Sequence, residues 1–257
     1  MSALVGSGLR LTYGSRVVAD ELDLAVPAGR VTALVGPNAC GKSTALRALA
    51  RLIAPAAGTV LLDGAAINTL ARRLALLPQS PVAPDGITVR DLVARGRTPH
   101  QQWWRQWSRA DERIVDEALA ATGTAELADR TVDELSGGQR QRVWIALALA
   151  QGTGVLLLDE PTTYLDLAYQ VEVLELVAEL NRRDGTTVVM VLHDLNQACR
   201  YADHLIAMRS GRVVAAGPPG EVVTPELVRD VFGLDCRIIA CPVAGTPIVV
   251  PEGRPRR

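Results

Sequence analysis

Short apolar runs alternate with amphipathic stretches along most of this chain. Val31–Val35 is a short, mostly apolar run after the turn Val26-Pro27-Ala28-Gly29, and it reads as a strand. The segment before it has β texture. A glycine-rich loop, Gly36–Gly41, follows. From Lys42 to about Arg51 the pattern is helical, with Ala45, Leu46, Leu49 and Leu52 on one face, and Pro55 and Gly58 close it. Val60–Leu62 reads as a strand before the turn Asp63-Gly64, and Leu74–Leu77 reads as another. From about Thr88 to Asp129 strand alternation gives way to two helical patterns, Val89–Arg95 and Ala110–Thr122, joined by Trp103-Trp104-Arg105-Gln106-Trp107. These predict a helical subdomain, about residues 88–150, inserted into an α/β core. The alternation then resumes: helix Gln139–Ala150, strand Val155–Leu158, helix Ala168–Arg182, strand Thr187–Leu192, helix Leu195–Tyr201. Leu205–Met208 and Arg212–Ala215 form a strand pair across Ser210-Gly211. A short helix, Pro225–Val231, and a hairpin of Arg237–Ala240 with Ile248–Val250 complete the pattern. Strands alternating with helices predict an α/β fold whose parallel or mixed sheet is covered on its faces. The expected layout is one domain over residues 1–240, with a C-terminal hairpin and tail over 241–257.

Composition narrows this picture. At 257 residues, 48% hydrophobic and 21% charged, the chain is long and apolar enough for one large domain with a sizeable core. A net charge of −1 argues against a dedicated nucleic-acid binder, which carries a basic excess. No apolar run approaches the roughly 18–20 residues of a membrane span. Met1–Arg10 lacks a signal-peptide pattern. The expectation is a soluble chain whose membrane role comes through a partner. Cys40, Cys199, Cys236 and Cys241 have no zinc-site spacing and read as reduced thiols. One count stands out: of 27 basic residues, Lys42 is the only lysine.

Lys42 lies in the first chemical motif. Gly36-Pro37-Asn38-Ala39-Cys40-Gly41-Lys42-Ser43 fits G-x-x-x-x-G-K-[ST], with the preceding strand and following helix the motif requires. Successive backbone N–H groups and the helix N-terminus make a phosphate cradle. Lys42 would reach the β- and γ-phosphates, and the Ser43 hydroxyl would ligate Mg²⁺. A second element is the apolar run Val155–Leu158 ending in Asp159-Glu160, which carries two carboxylates to a strand's C-terminal end. Asp159 is expected to hold Mg²⁺ through water, and Glu160 to act as general base on the attacking water. The third is Leu135-Ser136-Gly137-Gly138-Gln139, a Ser and two glycines at a helix start. That segment reads as an ordinary N-cap or as a second anion site.

Together, Gly36–Thr44, Leu135–Gln139 and Val155–Pro161 resemble the nucleotide-binding subunits of ATP-binding-cassette (ABC) transporters, over essentially the whole chain. The resemblance implies a P-loop NTPase core with a mixed sheet, an N-terminal antiparallel β-subdomain and an inserted helical subdomain. It also implies ATP hydrolysis in the translocase class, with ATP and Mg²⁺ as cofactors. Tyr13 corresponds to the aromatic that stacks on adenine. Gln79 corresponds to the glutamine that contacts Mg²⁺ and water, and His193 to the γ-phosphate-sensing histidine. Asp166 lies in the loop that crosses the dimer interface. The family forms a head-to-tail homodimer in which the partner's Ser136, Gly137 and Gly138 close over ATP held by the P-loop. Further implied are transmembrane permease subunits, a substrate-binding protein acting indirectly, no nucleic acid, and a peripheral place on the cytoplasmic face of the membrane. One departure is Ala39, where many relatives have glycine; its methyl disfavours positive φ.

The runs Glu160–Asp166, Leu192–Ala198, Arg200–Asp203 and Arg95–His100 resemble subunits serving iron–siderophore, haem and vitamin B12 uptake. Arg200-Tyr201-Ala202 and Gly96-Arg97 favour the siderophore branch. The Trp103, Trp104 and Trp107 cluster lies where the family faces its membrane subunit. Two competing readings are weaker. Soluble ABC proteins of ribosomes or DNA carry two cassettes or long inserts. A P-loop kinase or GTPase has no need of Ser136–Gly138 or His193.

Overall fold

The computed structural model describes residues 2–66, 72–101 and 107–254. Two long strands open it, β1 (Ser2–Tyr13) and β2 (Arg16–Pro27), paired antiparallel across Gly14. Then come β3 (Val31–Val35), α1 (Lys42–Leu49), β4 (Ala57–Leu62), β5 (Ala65–Ala66) and β6 (Leu74–Leu77). A helical stretch holds α2 (Val89–Ala94), a 3₁₀ turn Arg95–His100, α3 (Arg109–Ala121) and α4 (Gly137–Ala150). Alternation resumes with β7 (Val155–Asp159), α5 (Leu167–Asp184), β8 (Thr187–Val191), α6 (Leu195–Tyr201), β9 (His204–Arg209) and β10 (Arg212–Gly217). The described chain ends with α7 (Pro219–Val222), α8 (Pro225–Phe232) and the hairpin of β11 (Asp235–Ala240) and β12 (Pro247–Gly253), whose strands lie on either side of residue 240.

Six strands form the central sheet in the order β10-β9-β3-β8-β7-β6. Neighbours from β9 to β6 run parallel, and β10 returns antiparallel to β9. Every residue of β3, β7 and β8 is buried, which explains why these strands are mostly apolar rather than alternating. Their side chains still divide by face. Leu34, Leu157 and Val189 join the N-terminal sheet and α1 in one core. Ala33, Leu156, Leu158 and Val188 face α4, α5 and α6 in the other. The N-terminal sheet, in the order β2-β1-β4-β5, is antiparallel throughout. The α/β fold with mixed sheet and antiparallel β-subdomain is therefore the one observed.

One expected core position is wrong. Leu52 is 66% exposed, because α1 ends at Leu49 and Arg51 takes a positive φ of 53° that turns the chain away. Among α2, α3 and α4, a buried ion pair joins separate segments. Arg97 Nε donates to Asp111 Oδ1 at 2.9 Å, and its Nη1 donates to the Ala150 carbonyl at 2.8 Å. Gly96 beside it is needed for close approach, since a Cβ there would lie 2.4 Å from the Leu147 carbonyl oxygen. Trp103 and Trp104 lie outside the described residues; Trp107 is half-exposed. All four cysteines are free thiols, and burial pushes the Cys199 thiol up to about 11, with a smaller push from Asp194.

Candidate functional site

The parallel arrangement of β3, β6, β7 and β8 carries their C-terminal ends to one edge. The chain leaving each strand there holds, respectively, Gly36–Ser43, Gln79, Asp159-Glu160 and His193. All but Gly36, Pro37, Cys40 and Asp159 meet at a cavity of about 640 Å³, lined by Tyr13, Asn38, Ala39, Gly41, Lys42, Ser43, Thr44, Gln79, Glu160 and His193 together with Arg16, Val18, Thr163 and Tyr164.

The loop from β3 to α1 is held open by unusual backbone. Gly36 and Gly41 have φ of 150° and 107°, and Ala39, despite its methyl, has φ of 60°. Cys40 is buried, and its carbonyl accepts from the Gly211 amide at 2.9 Å, tying the loop to the β9–β10 turn. Lys42 is only 5% exposed. Its ammonium donates to the carbonyls of Gly36 and Pro37 at 2.8 and 2.9 Å, which offsets the cost of burying it.

The two carboxylates differ. Asp159 is buried; Arg47 of α1 lies 3.4 Å from its Oδ2, while Oδ1 is buried with no hydrogen-bond partner among the described residues. A buried carboxylate oxygen without a donor, near the Ser43 hydroxyl's helix, fits a cation or its bound water. Glu160 instead accepts from three sides: Gln79 Nε2 at 2.6 Å and Thr163 Oγ1 at 3.1 Å to Oε2, and His193 Nε2 at 2.8 Å from Oε1. Glu160 has φ of 55°, a strained value of the kind that clusters at working sites.

Ser136, Gly137, Gly138, Gln139 and Asp166 do not line the cavity. Ser136 caps α4 in a reciprocal box with Gln139: its Oγ accepts the Gln139 amide, and Gln139 Oε1 accepts the Ser136 amide at 3.1 Å. The tip of this helix packs tightly, since a Cβ on Gly138 would meet the Tyr169 ring at 2.5 Å. Asp166 caps α5, accepting from the Tyr169 amide. Sequence reasoning did not place Arg16, Val18, Arg47, Thr163 or Tyr164 at the site. Thr163 had a local signal, three residues after Glu160. The others are brought in by the fold alone.

The sequence profile of the ABC transporter family matches residues 19–163. The chain is 55% identical to the ferric enterobactin transport ATP-binding protein FepC of Escherichia coli (strain K12), over 99% of this chain and 96% of that protein. It is 54% identical to the petrobactin import ATP-binding protein FpuD of Bacillus anthracis, over 99% and 95%. Among solved structures it resembles an ABC transporter described as of metal-chelate type, in an inward-facing conformation. There the TM-score is 0.86, the identity 29%, and the coverage 97% of each chain. It also resembles the dimeric ATP-binding cassette MJ0796 in a post-hydrolysis state with ADP and Pi, with TM-score 0.74 and identity 27%, over 84% and 98%.

Proposed function

Because this chain belongs to the ABC transporter family, whose cassettes bind and hydrolyse ATP, we propose that it is the ATP-hydrolysing subunit of an importer for iron–siderophore complexes. The observation that carries the chemistry is the meeting of Lys42, Gln79, Glu160 and His193 at one cavity, with the buried Asp159 next to Glu160 in the chain. Siderophore cargo is supported by relatives named for enterobactin and petrobactin across nearly the whole chain.

ATP lies with its phosphates against the amides of residues 36–44, its adenine against Tyr13, and the Lys42 ammonium on the β- and γ-phosphates. A water attacks the γ-phosphorus. The new P–O bond forms as the bond to the β-phosphate oxygen breaks, and the departing electron pair stays on ADP. Glu160 takes the proton from the attacking water, held in place by Gln79, Thr163 and His193. His193 is positioned to sense the γ-phosphate. Ser43, Gln79 and Asp159 Oδ1 would hold Mg²⁺, which neutralises charge on the phosphate oxygens.

Ser136–Gln139 and Asp166 lie off their own chain's cavity, as expected if they serve a second copy in a head-to-tail dimer. The dimeric cassette among its structural relatives supports that arrangement. No described helix is long and apolar enough to cross a membrane. Relatives named as transport ATP-binding proteins support a place beside permease subunits, at their cytoplasmic face. The test is uptake of a ferric siderophore by cells expressing the chain with its permease, wild type against Lys42→Ala. Uptake should be lost with Lys42→Ala. Loss of haem or cobalamin uptake alone would reassign the cargo, and unchanged uptake of all three would contradict the transport reading.

A further inference from the structure

The segment Leu195-Asn196-Gln197 follows the site histidine, and the chemistry above gives it no task. Its side chains make a chain of hydrogen bonds reaching two distant elements. Gln197 Nε2 donates to Gln170 Oε1 at 2.6 Å, and Gln170 Nε2 donates to the Leu165 carbonyl at 2.9 Å. Leu165 is in the loop 162–166, whose Thr163 bonds Glu160. One residue back, Asn196 grips the C-terminal hairpin: Val249 N–H donates to Oδ1 at 2.7 Å, and Nδ2 donates to the Val249 carbonyl at 3.3 Å. Asp194 Oδ1 accepts the amides of Asn196 and Gln197, fixing the turn between His193 and both side chains.

The direction of every bond is set by the backbone. The Leu165 carbonyl can only accept, so Gln170 must present its amide NH₂ there and its oxygen to Gln197. The Val249 amide can only donate, so Asn196 must turn its oxygen toward it. No member can be reversed without setting oxygen against oxygen. With two backbone links, these bonds close a ring: Glu160 to His193, along the chain to Asp194, to Gln197, to Gln170, to Leu165, and back along the chain through Thr163 to Glu160.

We propose that Gln170, Gln197 and Asn196 are positioning residues that lock the His193 turn, the loop 162–166 and the C-terminal hairpin into one unit. On this account His193 cannot shift without moving the loop carrying Asp166 toward the partner subunit, and the hairpin is the anchor of the assembly. The proposal rests on the reading of Glu160 and His193 given above.

The test is steady-state ATP hydrolysis by the full chain with its permease, comparing wild type, Gln170→Met, Gln197→Met and the double variant. Each single change should lower kcat about three- to tenfold with KM for ATP within about twofold, as for one lost hydrogen bond felt in the barrier. The double variant should be no slower than the singles, because the relay fails as a unit. Gln197→Glu, which keeps the shape but removes the donor, should match Gln197→Met. In the free chain, hydrogen exchange in 162–166 should quicken in Gln197→Met, although Gln197 does not touch that loop. Additive losses, a raised KM, losses that follow Tm, or unchanged exchange would each overturn the relay. Full hydrolysis by Glu160→Gln would instead remove the underlying reading, whatever the relay variants do.

Discussion

At the residue scale, Ala39 is the informative departure. It holds φ of 60°, where an L-residue is strained. Glycine there would relieve roughly 1 kcal/mol, part of it offset by the greater freedom of unfolded glycine. Ala39→Gly should therefore raise Tm slightly; thermal denaturation showing a clear loss would contradict the strained loop. Lys42 is the other. A chain using arginine at 26 of its 27 basic positions keeps one ammonium, buried against two carbonyls of the loop. A compact point charge fits that cradle, and a planar guanidinium fork does not. Amine-reactive labelling followed by mass spectrometry should find Lys42 and the N-terminus, with Mg-ATP protecting Lys42. Labelling of Lys42 that ATP leaves unaffected would place the nucleotide elsewhere.

Elements explain what could be read in advance. β3, β7 and β8 were legible because burial on both faces leaves a mostly apolar run, and the P-loop was legible because its chemistry lies in consecutive residues. The full length of β1 and β2 was hidden by register shifts that break their alternation, and Glu21 sits at φ of 55° within β2. Arg47 against Asp159, and Gln197 against Gln170, join residues far apart in the chain; no local pattern announces them. Arg97 was noted as a family mark, yet its work is structural: it binds the 3₁₀ turn to the start of α3 and the end of α4. The Asp111 carboxyl is held below its ordinary value by the Ser108 hydroxyl and then by the Arg97 guanidinium. A depressed carboxylate contributes stability that is present above its unfolded value and is lost as pH falls through its folded value. Asp111→Asn should thus flatten the acid limb of the stability curve and lower Tm at neutral pH. An unchanged acid limb in pH-dependent melting would show that the pair contributes nothing.

At the scale of the whole molecule, the cavity gathers the P-loop, Gln79, Glu160 and His193, and Ser136–Gly138 are not part of its lining. On the proposed head-to-tail reading, the phosphate cradle of one copy would meet the capped, glycine-rich helix start of another. Two copies turned head to tail would each supply what the other lacks. ATP then favours the closed dimer because it touches both chains only there. Ser136→Arg should keep ATP binding, as its own cavity is untouched, while dimerisation and hydrolysis fail. Nucleotide titration with light scattering would show this. A variant that still dimerises with ATP would put the signature segment outside the interface.

Glu160 as the base that takes the proton of the attacking water, in a site completed by a second copy, is tested by size-exclusion chromatography of Glu160→Gln with Mg-ATP, with phosphate release followed in parallel. A stable dimer holding uncleaved ATP is expected, with turnover lowered by about two to four orders of magnitude, as for loss of a general base. A chain that remains monomeric and releases phosphate at the wild-type rate would contradict it.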